Sequence, residues 1–170
     1  MTELLPVVTI ITTVHDLEPY IGQCIDSVLL QTYTRWEQIV VDDGSVDGTR
    51  EIVESYSDPR IRYVRLPKRG VPGLAEGYNV ALSEGRGSLV AVLEGDDYWP
   101  ADKLAIQVAS FQDPHVQLSW GEAILVDGRG QPNAKWPRGR RQQTDMPTEQ
   151  LFRELTCSNV LTPTVTVMVR

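Results

Sequence analysis

The 170-residue sequence predicts an α/β fold, a mostly parallel sheet with helices on both faces. Three observations carry that expectation. Short apolar, β-branched runs recur four times before residue 95, segments of helical spacing separate them, and acidic residues gather where the runs end. Strands joined through helices run parallel by right-handed crossovers, so their carboxyl ends meet at one edge of the sheet.

The first run, "VVTIIT" at 7–12, is followed by a helical face of Ile21, Ile25, Val28 and Leu29. The second, "EQIVVD" at 37–42, leads to Ile52, Val53 and Tyr56 on one face. The third, "IRYVRL" at 61–66, leads to Leu74, Tyr78, Ala81 and Leu82, which are expected to face the core. The fourth, "SLVAVLE" at 88–94, precedes a helix expected from about Ala101 to Phe111, with Leu104, Val108 and Phe111 inward and a stop at Asp113–Pro114. After it "VQLSWGEAILVDGRG" reads as two short strands or a hairpin, "TEQLFREL" as a short helix and "TVTVMV" as a last strand. That strand ends on Arg170, which gives the expectation that the chain stops short of a full domain and pairs with a second copy through Thr164–Val169.

With 41% hydrophobic residues, the chain is long enough for one domain with a core. A net charge of −7 opposes nucleic-acid binding, which needs a basic face. The local exception, "KWPRGRR" at 135–141, reads as a solvated loop before an anion or membrane contact. It lies in a Gly-, Pro- and charge-rich stretch that starts near Gly128. Cys24 and Cys157 fit no metal or redox spacing, so no disulfide is expected and a reducing compartment fits. "MTELLPVVTIITT" has no positive n-region and is too short to span a bilayer. A cytoplasmic location is expected, with peripheral membrane contact left open.

The strand ends carry the chemistry. The first delivers Thr12, Thr13, His15 and Asp16; the second Asp42, Asp43, Ser45 and Asp47; the third "RLPKRG"; the fourth Glu94, Asp96 and Asp97. Each has a local explanation: Ser45 or Asp47 as a helix cap, "EGDD" as a turn, His15 and His115 as loop histidines. Together they need an offset, because neighbouring carboxylates repel unless cations or donors face them. Mg²⁺ or Mn²⁺ suits such oxygens, and Mg²⁺ is usually held by one or two carboxylates plus phosphate oxygens. Walker A and GxGxxG sequences are both missing, which leaves a nucleoside diphosphate site. A phosphotransferase or receiver-like regulator would place an acidic pair after the first strand and a lone Asp after the third; here the pairs follow the second and fourth.

Two stretches then resemble a known family. "VTIITTVHDLEPYIGQCIDSVLLQTYTRWEQIVVDDGSVDGTREIVESY" and "NVALSEGRGSLVAVLEGDDYWPADKL" are similar to family 2 glycosyltransferases of the GT-A fold, with their "SxxxQT", "E-IVVDDGS-D-T" and "D-DD---P--L" patterns. The likeness runs from about Val7 to Leu104. It implies a metal-dependent, inverting transfer of sugar from a nucleotide sugar, UDP-linked first, to a saccharide, lipid or protein hydroxyl in polysaccharide or glycoconjugate synthesis. The alternative is a nucleotide-sugar-binding module without transfer. Residues 1–112 would form the nucleotide half and 113–170 the start of the acceptor side.

By the same resemblance Thr13 would lie near base or ribose, Asp43 would bond the nucleobase, and Asp42 would support the loop. Asp96 would contact ribose or diphosphate, and Asp97 would hold Mn²⁺ or Mg²⁺. Departures from the pattern are Asp16 for the usual Asn, Tyr78 for the Arg of "ARN", and Glu94 for the first Asp of "LDSDD". Lys68 and Arg69 are candidates to replace the missing arginine near the diphosphate. The catalytic base is expected beyond Arg170; Glu122 and Asp127 do not fit its position.

Overall fold

The computed structural model describes residues 7–121, 123–127, 130–132 and 166–170, with backbone only at 71–72. Four α/β units lead: β1 (Val8–Val14), α1 (Ile21–Leu29), β2 (Trp36–Asp42), α2 (Thr49–Ser55), β3 (Ile61–Arg65), α3 (Val71–Glu84), β4 (Leu89–Val92) and α4 (Lys103–Ser110). Two short strands follow, β5 (Leu118–Ser119) and β6 (Met168–Val169). The sheet order is β3-β2-β1-β4-β6-β5. The pairs β1–β2, β1–β4 and β2–β3 are parallel, and β6 is antiparallel to β4 and β5.

Helices cover both faces, as the alternation predicts. Alternate residues of each strand point to opposite faces. Val8, Ile10, Trp36, Val40, Leu89 and Ala91 pack with Ile21, Ile25, Val28, Val53 and Leu104 of α1, α2 and α4. The opposite face, with Ile11, Ile39 and Val41, packs on Ala81 of α3. At the end of the sheet away from the acidic loops, the buried Glu37 carboxylate accepts from Thr9 Oγ1 at 2.8 Å, from Arg86 N at 2.5 Å and Nε at 3.0 Å, and from an Arg62 guanidinium nitrogen at 3.2 Å. Burial by itself would raise its pKa, but the bonds from Arg86 and Thr9 outweigh burial and hold it below the usual range.

Four expectations are corrected. In α3, Leu74 and Leu82 are about half exposed. Ala81 is buried and Tyr78 packs partly against the core as expected, but Gly73 and Gly77 face inward in place of the two leucines. The spacing is equally helical, and small residues let the helix lie close to the sheet: a Cβ on Gly77 would sit 3.4 Å from Val41. Among the described residues, the segment after α4 contributes one short strand to the sheet and not two strands or a hairpin. Its β5 pairs with β6, while Val126 bridges Pro132 in a separate turn. At Met168 and Val169 the terminal strand is no edge, since both lie between β4 and β5 and bond to both. Helix α4 is shorter than expected because the carbonyl of Ala101 accepts Thr32 N at 2.8 Å and Asp102 takes the cap position.

Cys24 is a free, buried thiol. The segments "KWPRGRR" and "TEQLFREL", residues 164–165, Cys157 and Glu122 lie outside the described residues.

Candidate functional site

Strand β1 is the axis of the site because β2 and β4 flank it and their loops continue its ladders. Asp43 N donates to Val14 O at 3.0 Å on one side; Gly95 N donates to Thr13 O at 3.2 Å on the other. The two acidic loops therefore open side by side past the end of β1.

The β2 loop is built on Asp42. Its buried carboxylate accepts Ser45 N at 2.8 Å, Ser45 Oγ at 2.6 Å and the phenol of Tyr63. Gly44 adopts φ +68, and a Cβ there would stand 2.7 Å from Lys68 N. Ser45 does not cap α2. Its hydroxyl instead accepts Asp16 N at 2.9 Å. Asp47 accepts Thr49 N, the first helical amide, at 3.0 Å and Glu18 N at 2.9 Å. Asp16 has φ 52, a left-handed conformation that Asp and Asn tolerate best, and its carboxylate accepts Val46 N at 2.8 Å. Aspartate at this position thus closes the loop as a short polar side chain must.

Asp43 is equally engaged. Its two oxygens accept Arg69 N at 2.8 Å and Gly70 N at 2.7 Å, and the missing side chain of Gly73 leaves the space that its carboxylate fills. The exposed Lys68 and Arg69 lie beside this anchor, with Arg69 Nε 3.4 Å from Glu76. His15 is half-buried beside Asp16, with Nε2 at 3.3 Å from its carboxylate, whereas His115 is exposed in a distant turn.

In the β4 loop, Glu94 accepts Thr13 Oγ1 at 2.5 Å on one oxygen and the Tyr78 phenol on the other. Its carbonyl accepts Asp97 N at 3.0 Å. Asp96 is exposed and Asp97 half-buried. Burial first, then the charges of Asp96 and Glu94, push the Asp97 carboxyl up to about 6. Among the described residues no group of three His, Cys, Asp or Glu side chains converges as a metal cage. Asp97, strained by burial and like charge and with no hydrogen bond to its carboxylate among the described residues, still fits a divalent ion that takes its other ligands from phosphate and water.

Three residues missed by the sequence reading position this loop. Ser27 Oγ accepts Trp99 N at 3.1 Å; Gln31 donates to Pro100 O at 2.8 Å and accepts Leu104 N at 3.0 Å; Thr32 N bonds Ala101 O. They are the Ser, Gln and Thr of the "SxxxQT" helix end. The sequence therefore held the signal without its meaning. Asp127, whose carboxylate accepts Gln131 N at 3.0 Å, serves its own turn.

The family described as "Glycosyl transferase family 2" matches residues 9–168, both acidic loops included. The chain belongs to glycosyl transferase family 2. Among curated members, TuaG of Bacillus subtilis (strain 168), named for teichuronic acid biosynthesis, is 37% identical over 138 residues, 80% of this chain and 54% of its own length. WfgD of Escherichia coli, a UDP-Glc:alpha-D-GlcNAc-diphosphoundecaprenol beta-1,3-glucosyltransferase by name, is 36% identical over 71% of this chain and 47% of its own. This chain thus spans about half the length of those family members. Among solved structures, S. aureus TarS 1–349 in complex with UDP superposes with a TM-score of 0.65 at 30% identity, covering 74% of this chain and 38% of TarS. The mannosyltransferase PcManGT from Pyrobaculum calidifontis, with GDP-Man and Mn²⁺, gives 0.61 at 30% identity, covering 71% of this chain and 36% of its own. The mostly parallel sheet of this chain matches these GT-A-like neighbours. No helix among the described residues is long and apolar enough to cross a membrane.

Proposed function

We propose that this chain carries the donor site of a divalent-metal-dependent, inverting glycosyltransferase acting in polysaccharide or glycoconjugate synthesis. The observation that carries the reading is Asp97, a half-buried carboxylate raised to about 6 at the mouth of the β1 edge, where neighbouring charges leave it in need of a cation. Asp97 would hold Mn²⁺ or Mg²⁺, and the exposed Asp96 would face ribose or diphosphate. Asp43, fixed by the amides of residues 69 and 70, would present its remaining lone pairs to the base, with Asp42 holding the loop beneath. Lys68 and Arg69 would lie toward the diphosphate.

A cation bound at Asp97 would supply Lewis-acid stabilisation of the charge that develops on the departing diphosphate. This chain's residues would orient the donor and keep the leaving group in place. Nucleotide ligands named for the neighbours, UDP and GDP-Man, support a nucleoside diphosphate sugar, and the lipid-linked acceptor in WfgD's name supports a saccharide on a lipid carrier. Residues to 112 would hold the donor and those from 113 begin the acceptor side; peripheral contact with a membrane follows from such an acceptor.

Calorimetric titration with UDP, dTDP and GDP, with Mn²⁺ and with chelator, tests the reading. Metal-dependent binding of one nucleotide that disappears in Asp97→Ala supports it. Binding indifferent to metal and to Asp97 would overturn it. Binding without turnover on any acceptor would favour a nucleotide-sugar-binding module.

A further inference from the structure

The departures from the family pattern at 78 and 94 are bonded to each other. Tyr78 stands where the pattern has arginine, Glu94 where it has aspartate, and the Tyr78 phenol donates to one Glu94 oxygen while Thr13 Oγ1 donates to the other at 2.5 Å. We infer that Thr13, Glu94 and Tyr78 form one positioning unit that aims the Asp96–Asp97 loop, and that Glu94 is a support of this loop and not a ligand of the metal. The inference rests on the donor-site reading for what the loop then binds.

Three features support it. Both Glu94 oxygens already accept hydroxyl donors, one from the end of β1 and one from α3, so the carboxylate spans the gap between strand and helix. The longer side chain of glutamate suits that span better than aspartate, whose carboxylate is one methylene nearer the backbone. The Glu94 backbone is tied as firmly: its carbonyl accepts Asp97 N at 3.0 Å, and Cys24 Sγ lies 3.6 Å away. Next to it, a Cβ on Gly95 would stand 2.5 Å from Val14 and 2.9 Å from Leu17, so the turn has no room to slide. Thr13 accordingly serves the loop through its hydroxyl.

The test measures hydrogen exchange at the amides of Gly95 and Asp97 and Mn²⁺–UDP binding in the full chain, for wild type, Tyr78→Phe, Thr13→Val, the double variant and Asp97→Asn. Tyr78→Phe and Thr13→Val are each expected to speed exchange at both amides about tenfold and to weaken binding by a similar factor, the size set by a hydrogen bond to a charged group. The double variant should lose less than the product of the two, because both donors act on one carboxylate. Asp97→Asn should lose binding with the loop amides unchanged. Wild-type exchange and affinity in Tyr78→Phe and Thr13→Val, with the fold intact by circular dichroism, would overturn the positioning unit and leave the donor site standing. A wild-type chain that binds no nucleotide while the amides respond as expected would instead overturn the donor site and uphold the loop's support.

Discussion

Gln31 Nε2 donates to the carbonyl of Pro100 at 2.8 Å while its Oε1 accepts Leu104 N at 3.0 Å, so one buried side chain at the end of α1 holds both the stop after the acidic loop and the start of α4. Removing it leaves the buried Leu104 amide without its acceptor and takes one of two donors from the Pro100 carbonyl, which also accepts Lys103 N at 3.2 Å. Gln31→Ala is expected to lower stability by about 2 kcal/mol. Urea denaturation measures that loss, and weaker Mn²⁺–UDP binding in the variant tests whether the clamp serves the loop. Ser27→Ala, which removes the acceptor for Trp99 N and the hydroxyl bond to the Cys24 carbonyl, should cost about 1 kcal/mol.

Asp97 trades stability for a place to bind. Its folded pKa of about 6 lies above the ordinary 3.8, so between those values the folded chain holds more protons than the unfolded one, and stability falls as pH rises through that window. Asp97→Asn should therefore stabilise the metal-free protein at pH 7, by about 1–2 kcal/mol after allowance for solvent screening, and by nothing near pH 3.5. Thermal melts at the two pH values check this. Because Mn²⁺ must displace the proton, wild-type metal-dependent binding should weaken as pH drops below about 6.

Lys103 is a second buried charge, but of opposite sign. Its Nζ has no hydrogen-bond partner among the described residues and lies 3.5 Å from the centre of the Trp99 ring, whose face favours the charged form while burial lowers the pKa to about 7. The unfolded lysine, near 10.5, binds more protons over that interval, so wild-type stability rises from pH 7 to 10.5. Lys103→Met, of similar length, should raise stability at pH 7 by about 1–2 kcal/mol, and the gain should shrink by pH 10. An unchanged melting temperature at pH 7 would show that the Trp99 contact already offsets burial.

Glu37 anchors the opposite end of the sheet. Glu37→Ala takes the buried acceptor from Arg86, Arg62 and the Thr9 hydroxyl, leaving Arg62 with Glu84 alone, and is expected to cost about 3 kcal/mol without altering nucleotide affinity per folded molecule. Since its folded pKa is lowered, its contribution is complete above about pH 4.5 and is lost as pH falls through the lower folded value. Acid unfolding of wild type and Glu37→Gln should converge at the lowest pH.

Much of the acidic edge could be read from residue order. Apolar runs separated by helical spacing give parallel strands, and parallel strands bring Asp43 and Asp97 to one edge whatever the details of packing. Partnerships could not be read, because they depend on distances between segments far apart in sequence. Ser27 and Gln31 were visible only as a pattern at a helix end until the chain brought Trp99 and Pro100 against them. Nor did the apolar spacing of α3 reveal which face is buried: Leu74, Tyr78 and Leu82 and the glycines at 73 and 77 are both helical stripes, and the carboxylate of Asp43 decided for the glycines by occupying the space beside Gly73.

The sequence by itself determined the strand order's raw material, the acidic loops and the family, since these follow from local pattern and motif. Only tertiary structure decided that Met168–Val169 lies inside the sheet, and that Glu94 supports the loop through Thr13 and Tyr78. The physical reason is common to both: strand neighbours and hydrogen-bond partners are chosen by which backbone and hydroxyl groups remain unsatisfied when the segments pack, and that choice is made in space.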